Sequence, residues 1–177
     1  MERAGFLMMS FQIGDKVVYP NHGVGTIEQI SSRNIAGQPE KFYLLRISAS
    51  SLTVMVPFAS VENVGLRKIV KQAEVERVLT YLSNGDCRTH ADWKWRFKEN
   101  SEKMRTGSLL QVAEVMKSLL DLSRSKPLSF REKKMLDRAR HLLVSELSTV
   151  KGLKEPQVEA LIDRALAKAK LKLPELD

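Results

Sequence analysis

A chain of 177 residues, 43% hydrophobic and 28% charged, has the composition of a globular protein with room for one large domain or two small ones. Its single cysteine, Cys87, excludes an intrachain disulfide framework, and no apolar run approaches the roughly 18 residues needed to cross a bilayer. The net charge of +8 points instead to a polyanionic partner, nucleic acid first, while the lone cysteine fits a reducing cytoplasm.

Residues 1–10 read as a flexible extension with Met8 or Met9 as an alternative start, since their apolar patch is too short for a signal-peptide core. Short strand-like runs follow, punctuated by turns. Lys16–Tyr19 leads into the turn cluster Pro20-Asn-His-Gly23, and Val24–Ile30 alternates like a half-buried strand. Phe42–Ile47 and Leu52–Val56 flank the small polar stretch Ser48–Ser51, the pattern of a hairpin, and Val61–Val64 supplies a fifth strand. Gly23 and Gly25 read as turn glycines. Five short strands predict a small Tudor- or SH3-like β-barrel over residues 11–66.

From Leu66 onward the period becomes helical. Val70, Val75, Val78, Leu79 and Leu82 form one apolar stripe, which Gly85 and Asp86 end. Helices are predicted over about 89–105, 108–122, 129–148 and 155–170. Thr89–Asp92 and Ser129–Glu132 open two of them as capping boxes, and Pro156 suits a first turn. Leu136, Ala139, Leu143 and Leu147 give the third of these helices a core face. Residues 67–177 therefore read as an all-α helical domain, and the fold class as α+β with two domains.

Charge divides at the same place. Residues 1–66 carry five cations, Arg3, Lys16, Arg33, Lys41 and Arg46, against five acids, Glu2, Asp15, Glu28, Glu40 and Glu62, so the whole surplus lies beyond Leu66. Two basic clusters hold much of it. The first runs from Arg88 through Lys94, Arg96, Lys98 and Lys103 to Arg105 and interleaves Trp93, Trp95 and Phe97. The second comprises Arg131, Lys133, Lys134, Arg138 and Arg140 and opens a helix. Cations that neutralise phosphates beside aromatics that stack on or wedge between bases suit nucleic acid. The plainer alternative is two solvated helix faces with tryptophans in the core. Trp93 and Trp95 point roughly 200° apart on a helix, and periodicity, which groups Trp93 with Phe97 and Met104, buries Trp93 and exposes Trp95. A first-turn residue can nonetheless project past its helix end.

No catalytic constellation emerges. His22, His90 and His141 stand apart from other ligands, no Walker loop precedes a helix, and Cys87 reads as a bystander thiol. The chain is therefore expected to be no enzyme and to use no metal, cofactor, small-molecule ligand or membrane.

Several segments match a known family in order: Gly14-Asp-Lys-Val-Val-Tyr-Pro-Asn-His-Gly-Val-Gly25, Asp92-Trp-Lys-Trp-Arg-Phe-Lys98, Gln111-Val-Ala-Glu-Val115 and Leu128 to Arg140. Over about residues 11–150 the chain resembles the CarD/CdnL family of bacterial RNA polymerase-binding transcription regulators, whose N-terminal module is shared with the transcription-repair coupling factor. The resemblance implies a Tudor-like domain that docks on the polymerase β subunit. It also implies a basic helical domain that meets promoter DNA, through its minor groove and phosphate backbone, at the upstream edge of the melted bubble, stabilises the open complex, and keeps the protein at the nucleoid.

By the same resemblance Arg33 matches a polymerase-contacting arginine, and Met55 stands where some relatives carry a second. Trp93 matches the family's wedge, with Trp95 as the runner-up in a position where relatives commonly have arginine; Ser101 stands where some have methionine. Lys98 and Lys133 match basic DNA-contacting positions, and Phe130 an apolar one. With Lys94, Arg96, Arg131 and Lys134 these make up the expected DNA surface. The rival readings are a stand-alone architectural DNA-binding protein and a protein–protein adaptor with no DNA contact.

Overall fold

The computed structural model describes residues 10–84, 86–87 and 91–175. Residues 1–9 of the expected extension, Gly85, and the Thr89 end of the expected capping box lie outside the described residues.

Five antiparallel strands form one sheet: β1 (Lys16–Tyr19), β2 (Gly23–Ile35), β3 (Gln38–Ile47), β4 (Thr53–Pro57) and β5 (Arg67–Lys68), in the order β4-β3-β2-β1-β5. The expected barrel is corrected here: β4 and β5 are the two edges and do not pair, so the sheet is open. The fifth strand is also not Val61–Val64. After a 3-10 turn at Phe58–Ser60, that segment makes one helical turn, α1 (Val61–Val64), which ends where Gly65 takes up φ +74°. The chain then returns to pair Arg67 and Lys68 with Val18 and Val17, past the boundary expected at residue 66.

The central strands run longer than their apolar patterns. Past Ile30 and before Phe42 the two chains stay paired to Ile35 and Gln38, joined by the two-residue turn Ala36-Gly37 with both residues at positive φ. Two such residues make the turn whose twist suits a hairpin. The polar run Ser31–Asn34 and the Gly37-Gln38-Pro39 sequence hide this arm, because it is largely solvated and shows no alternation. Gly25 is likewise not a turn residue. It sits within β2, where an added Cβ would lie 2.7 Å from Leu45 Cδ1 and 2.8 Å from the Arg46 carbonyl oxygen. One face of the sheet closes over Phe11, Val17, Ile27, Tyr43, Leu45, Ile47, Val56 and the α1 residue Val61.

Among the described residues five helices follow: α2 (Gln72–Asn84), α3 (Trp93–Thr106), α4 (Leu109–Ser123), α5 (Phe130–Lys151) and α6 (Glu155–Lys168). α4 lies at their centre, with Val112, Val115, Met116 and Leu119 buried, and packs against α2, α3 and α5. α6 docks rather than extends: Val158, Ile162 and Leu166 enter the same core, and Leu171 and Leu173 continue it beyond the helix. No helix among the described residues is long and apolar enough to cross a membrane.

Sheet and helices meet at a polar junction. The Arg67 guanidinium donates through Nη1 and Nη2 to both carboxylate oxygens of Glu146 on α5, at 2.8 and 2.7 Å. Its Nε and Nη2 also donate to the carbonyl oxygen of Gly107, at 2.9 and 2.7 Å. Glu146, buried, further accepts from the Val70 backbone N–H at 2.9 Å. Beside this fork Pro20 packs on Gly107, where φ is +75° and an added Cβ would sit 2.8 Å from Pro20 Cγ. A planar bidentate pair and a close backbone contact fix one relative placement of the two parts.

Candidate nucleic-acid interface

Helix α3 starts at Asp92, whose carboxylate accepts from the Lys94 backbone N–H at 2.9 Å as an N-cap. Trp93 is therefore the first helical residue. Its angular position lies on the buried stripe of α3, formed by Arg96, Asn100 and Met104, but the packed part of the helix begins one turn later. The indole projects past the end and is 58% exposed, so the burial expected from periodicity is corrected. Trp95, pointing outward, is 59% exposed. Each ring carries a lysine: Lys94 Nζ lies 5.8 Å from the Trp93 centroid and Lys98 Nζ 5.2 Å from that of Trp95.

The start of α5 lies alongside. Ser129 Oγ accepts from the Glu132 N–H at 3.2 Å and Glu132 Oε2 from the Ser129 N–H at 3.0 Å, which completes the expected capping box. Phe130, the first residue, is 71% exposed with Lys134 Nζ 4.6 Å from its centroid. Arg131, Lys133 and Lys134 are all exposed, and the Arg131 guanidinium lies 5.8 Å from the Phe97 ring.

Arg96 has a different role from the one expected. It is 4% exposed, and its Nε and Nη2 donate to Glu132 Oε1 at 3.1 and 2.8 Å, which turns its guanidinium to the protein interior and not to solvent. Glu132 thus holds the N-cap of α5 with one oxygen and the arginine of α3 with the other, and ties together the two helix starts that display Trp93, Trp95 and Phe130. Burial pushes the Glu132 carboxyl up, but hydrogen bonds from Ser129 and Arg96 and the Arg96 charge outweigh it and leave the group below the usual carboxylate value. The capping box is legible in sequence; its second partner, 36 residues away, is not.

Other members of the basic clusters are also tied up. Lys103 reaches Glu114 at 3.1 Å, Arg105 pairs with Glu102, and buried Arg140 pairs with Glu159 at 3.2 Å and donates to the Pro174 carbonyl oxygen. Arg88 lies outside the described residues. Among the described residues of the two clusters, Lys94, Lys98, Arg131, Lys133, Lys134 and Arg138 are exposed to face a polyanion, around the exposed rings of Trp93, Trp95 and Phe130. Burial pushes the Cys87 thiol up, which disfavours the thiolate a nucleophile requires. No group of three or more metal-binding side chains stands together among the described residues.

Arg33 and Met55 lie on the sheet. A β-bulge between Ile27 and Gln29 sets their face: Ile27 points into the core, and the extra residue turns Gln29, Ser31 and Arg33 to the other side. Register carries that side across the strands, Gln29 opposite Leu44 and Leu44 opposite Met55. Arg33, exposed, and Met55, 38% exposed on edge strand β4, thus share the outer face.

Two family models match the chain, "CarD-like/TRCF RID domain" over residues 11–70 and "CarD, C-terminal domain" over residues 77–163. The candidate transcription factor YdeB of Bacillus subtilis (strain 168) is 35% identical over 150 residues, covering 85% of this chain and 98% of that protein. Among solved structures, CdnLNt from Myxococcus xanthus is 43% identical and covers 39% of this chain and 97% of its own, with a TM-score of 0.31. The N-terminal domain of Myxococcus xanthus CarD, solved in solution, is 36% identical over 37% of this chain and 93% of its own, with a TM-score of 0.29. The two models fall one on the sheet and one on the helices, and the Bacillus relative runs through both; this chain belongs to the CarD-like family of transcription regulators.

Proposed function

We propose that this protein is a non-enzymatic regulator of transcription initiation. Its sheet anchors it on the β subunit of RNA polymerase, and its helical domain holds promoter DNA and stabilises the open complex. The observation that carries the reading is the placement of Trp93: a large apolar ring at the tip of a helix, more than half exposed, beside a second exposed aromatic start and a set of unpaired-face cations. Exposed rings of this size are costly in water and are explained by a surface that covers them. The family membership supports the choice of partner: residues 11–70 match the CarD-like/TRCF RID domain, the unit to which the polymerase contact is assigned here.

Anchoring and DNA contact act in sequence. The sheet docks through the face that carries Arg33 and Met55. Lys94, Lys98, Lys133 and Lys134 then neutralise phosphates, a contact with little sequence preference. Trp93 enters the minor groove at the upstream fork, where the base step is already distorted and the cost of unstacking, a few kcal/mol, is partly met. Binding that favours the melted state over the closed one by 1.4 kcal/mol shifts their ratio about tenfold.

Capture of RNA polymerase by the full-length chain tests the anchor. The wild type retains the β subunit, and Arg33→Glu, which reverses an exposed charge without touching the core, weakens retention. Equal capture by both would remove Arg33 from the docking face, and no capture by either would overturn the polymerase anchor and leave the two rival readings, a stand-alone DNA-binding protein and an adaptor for another protein.

A further inference from the structure

Between α2, α3 and α4 lies a cavity of about 240 Å³, lined by none of the exposed rings or cations assigned to DNA. It far exceeds the roughly 10–15 Å³ that holds one water and falls below the roughly 300–1,000 Å³ of drug-sized sites, so its size suits a small molecule. Asn100 of α3 lines it at 5% exposure, and among the described residues its carboxamide has no hydrogen-bond partner. That group carries one acceptor oxygen and two N–H donors, which are costly to bury unless something in the cavity meets them.

The rest of the lining selects the occupant. Both of its cations are engaged: Arg96 with Glu132 at 2.8 Å, and Lys103 with Glu114 at 3.1 Å and Glu99 at 3.5 Å. Ser118 Oγ donates its proton to the Val115 carbonyl oxygen at 3.0 Å, which leaves its lone pairs as acceptors. Burial first, then the nearby acids Glu114 and Asp86, hold the Tyr81 phenol well above its ordinary value, so it stays a neutral hydroxyl. Asp86 is exposed at the rim and makes no ion pair among the described residues. Even with Lys117, Glu132 and Asp121 behind the wall included, the acids (Asp86, Glu99, Glu114, Asp121, Glu132) outnumber the cations (Arg96, Lys103, Lys117). In a chain of net charge +8, this one recess is locally acidic.

We infer that this cavity is a binding site for a small organic cation, a primary amine or guanidinium, held by the Asn100 carboxamide oxygen within and the Asp86 carboxylate at the rim. An anion would find no uncommitted cation in the lining, and a neutral molecule would leave Asp86 unmatched. The site does not depend on the DNA reading, but it adjoins the same machinery. Arg96 lines the cavity and also clamps Glu132, so occupancy steadies the paired helix starts that display Trp93.

Calorimetric titration of the full-length chain with agmatine, a four-carbon chain that carries an amine and a guanidinium, tests the site against butyramide and succinate. Agmatine should bind saturably, one per chain, and raise the melting temperature, whereas the neutral amide and the dianion should do neither. Asn100→Leu should weaken agmatine about tenfold or more, the loss of a hydrogen bond to a charged donor. Should that variant melt far below the wild type, Asp86→Asn decides from an exposed position, with an expected loss of several-fold. Glu155→Gln/Glu175→Gln, which thins the separate acidic recess between α5 and α6, should leave the affinity unchanged. No saturable binding of agmatine would mean that the cavity holds water only and would overturn the site. Binding that survives at positions 100 and 86 but is lost at 155 and 175 would place the cation elsewhere and overturn it equally.

Discussion

Replacing Trp93 or Trp95 by alanine removes an indole that is mostly in water, so each variant should melt within about 0.5 kcal/mol of the wild type, the range of ordinary surface changes. Arg96→Ala, three residues from Trp93 and next to Trp95, should cost about 3–5 kcal/mol, because it strands the Glu132 carboxylate in a buried place. Thermal or denaturant unfolding of the three variants separates display from support. A large loss for Trp93→Ala would mean that the ring is core after all. Helical periodicity assigns Trp93 to the buried stripe correctly as an angle, yet angle alone does not bury a residue at the first helical position. The family resemblance, which works by register along the chain, does not depend on that angle. It names Trp93 directly.

At the scale of elements, the two helix starts behave as one unit because Glu132 serves both. Its carboxyl titrates below the ordinary value of 4.5, so the folded state binds fewer protons than the unfolded one through that range. The stability it contributes is complete above 4.5 and is lost as the pH falls through its lowered value. Glu132→Gln should therefore be clearly less stable than the wild type at pH 7, with the gap closing as the pH is taken below 4.5; a gap that stays constant with pH would remove the charge from the argument. The capping box, the five long helices and the hairpin around Ser48–Ser51 are all readable in sequence, since each depends on residues close in the chain. The open sheet edge, the Arg96–Glu132 clamp and the Arg67–Glu146 fork are not, since each joins residues far apart. The arm of β2 and β3 escapes for another reason: with both faces largely solvated it has no apolar alternation to read.

At the scale of the whole molecule, a neutral sheet and a basic helical domain are held in one orientation by the Arg67 fork and the contact of Pro20 with Gly107. A protein anchored on polymerase through one part can then present Trp93 at a set distance and angle, without the entropy cost of a free tether. This ring, so presented, is proposed to hold the melted promoter open. That role is tested most directly by the lifetime of open complexes formed with purified polymerase after a competitor is added, with no protein, with wild type, and with Trp93→Ala at concentrations that saturate the polymerase. The account predicts a longer lifetime with the wild type and a return most of the way to the protein-free value with Trp93→Ala, although that variant remains folded and bound. A lifetime with Trp93→Ala equal to that of the wild type would contradict it.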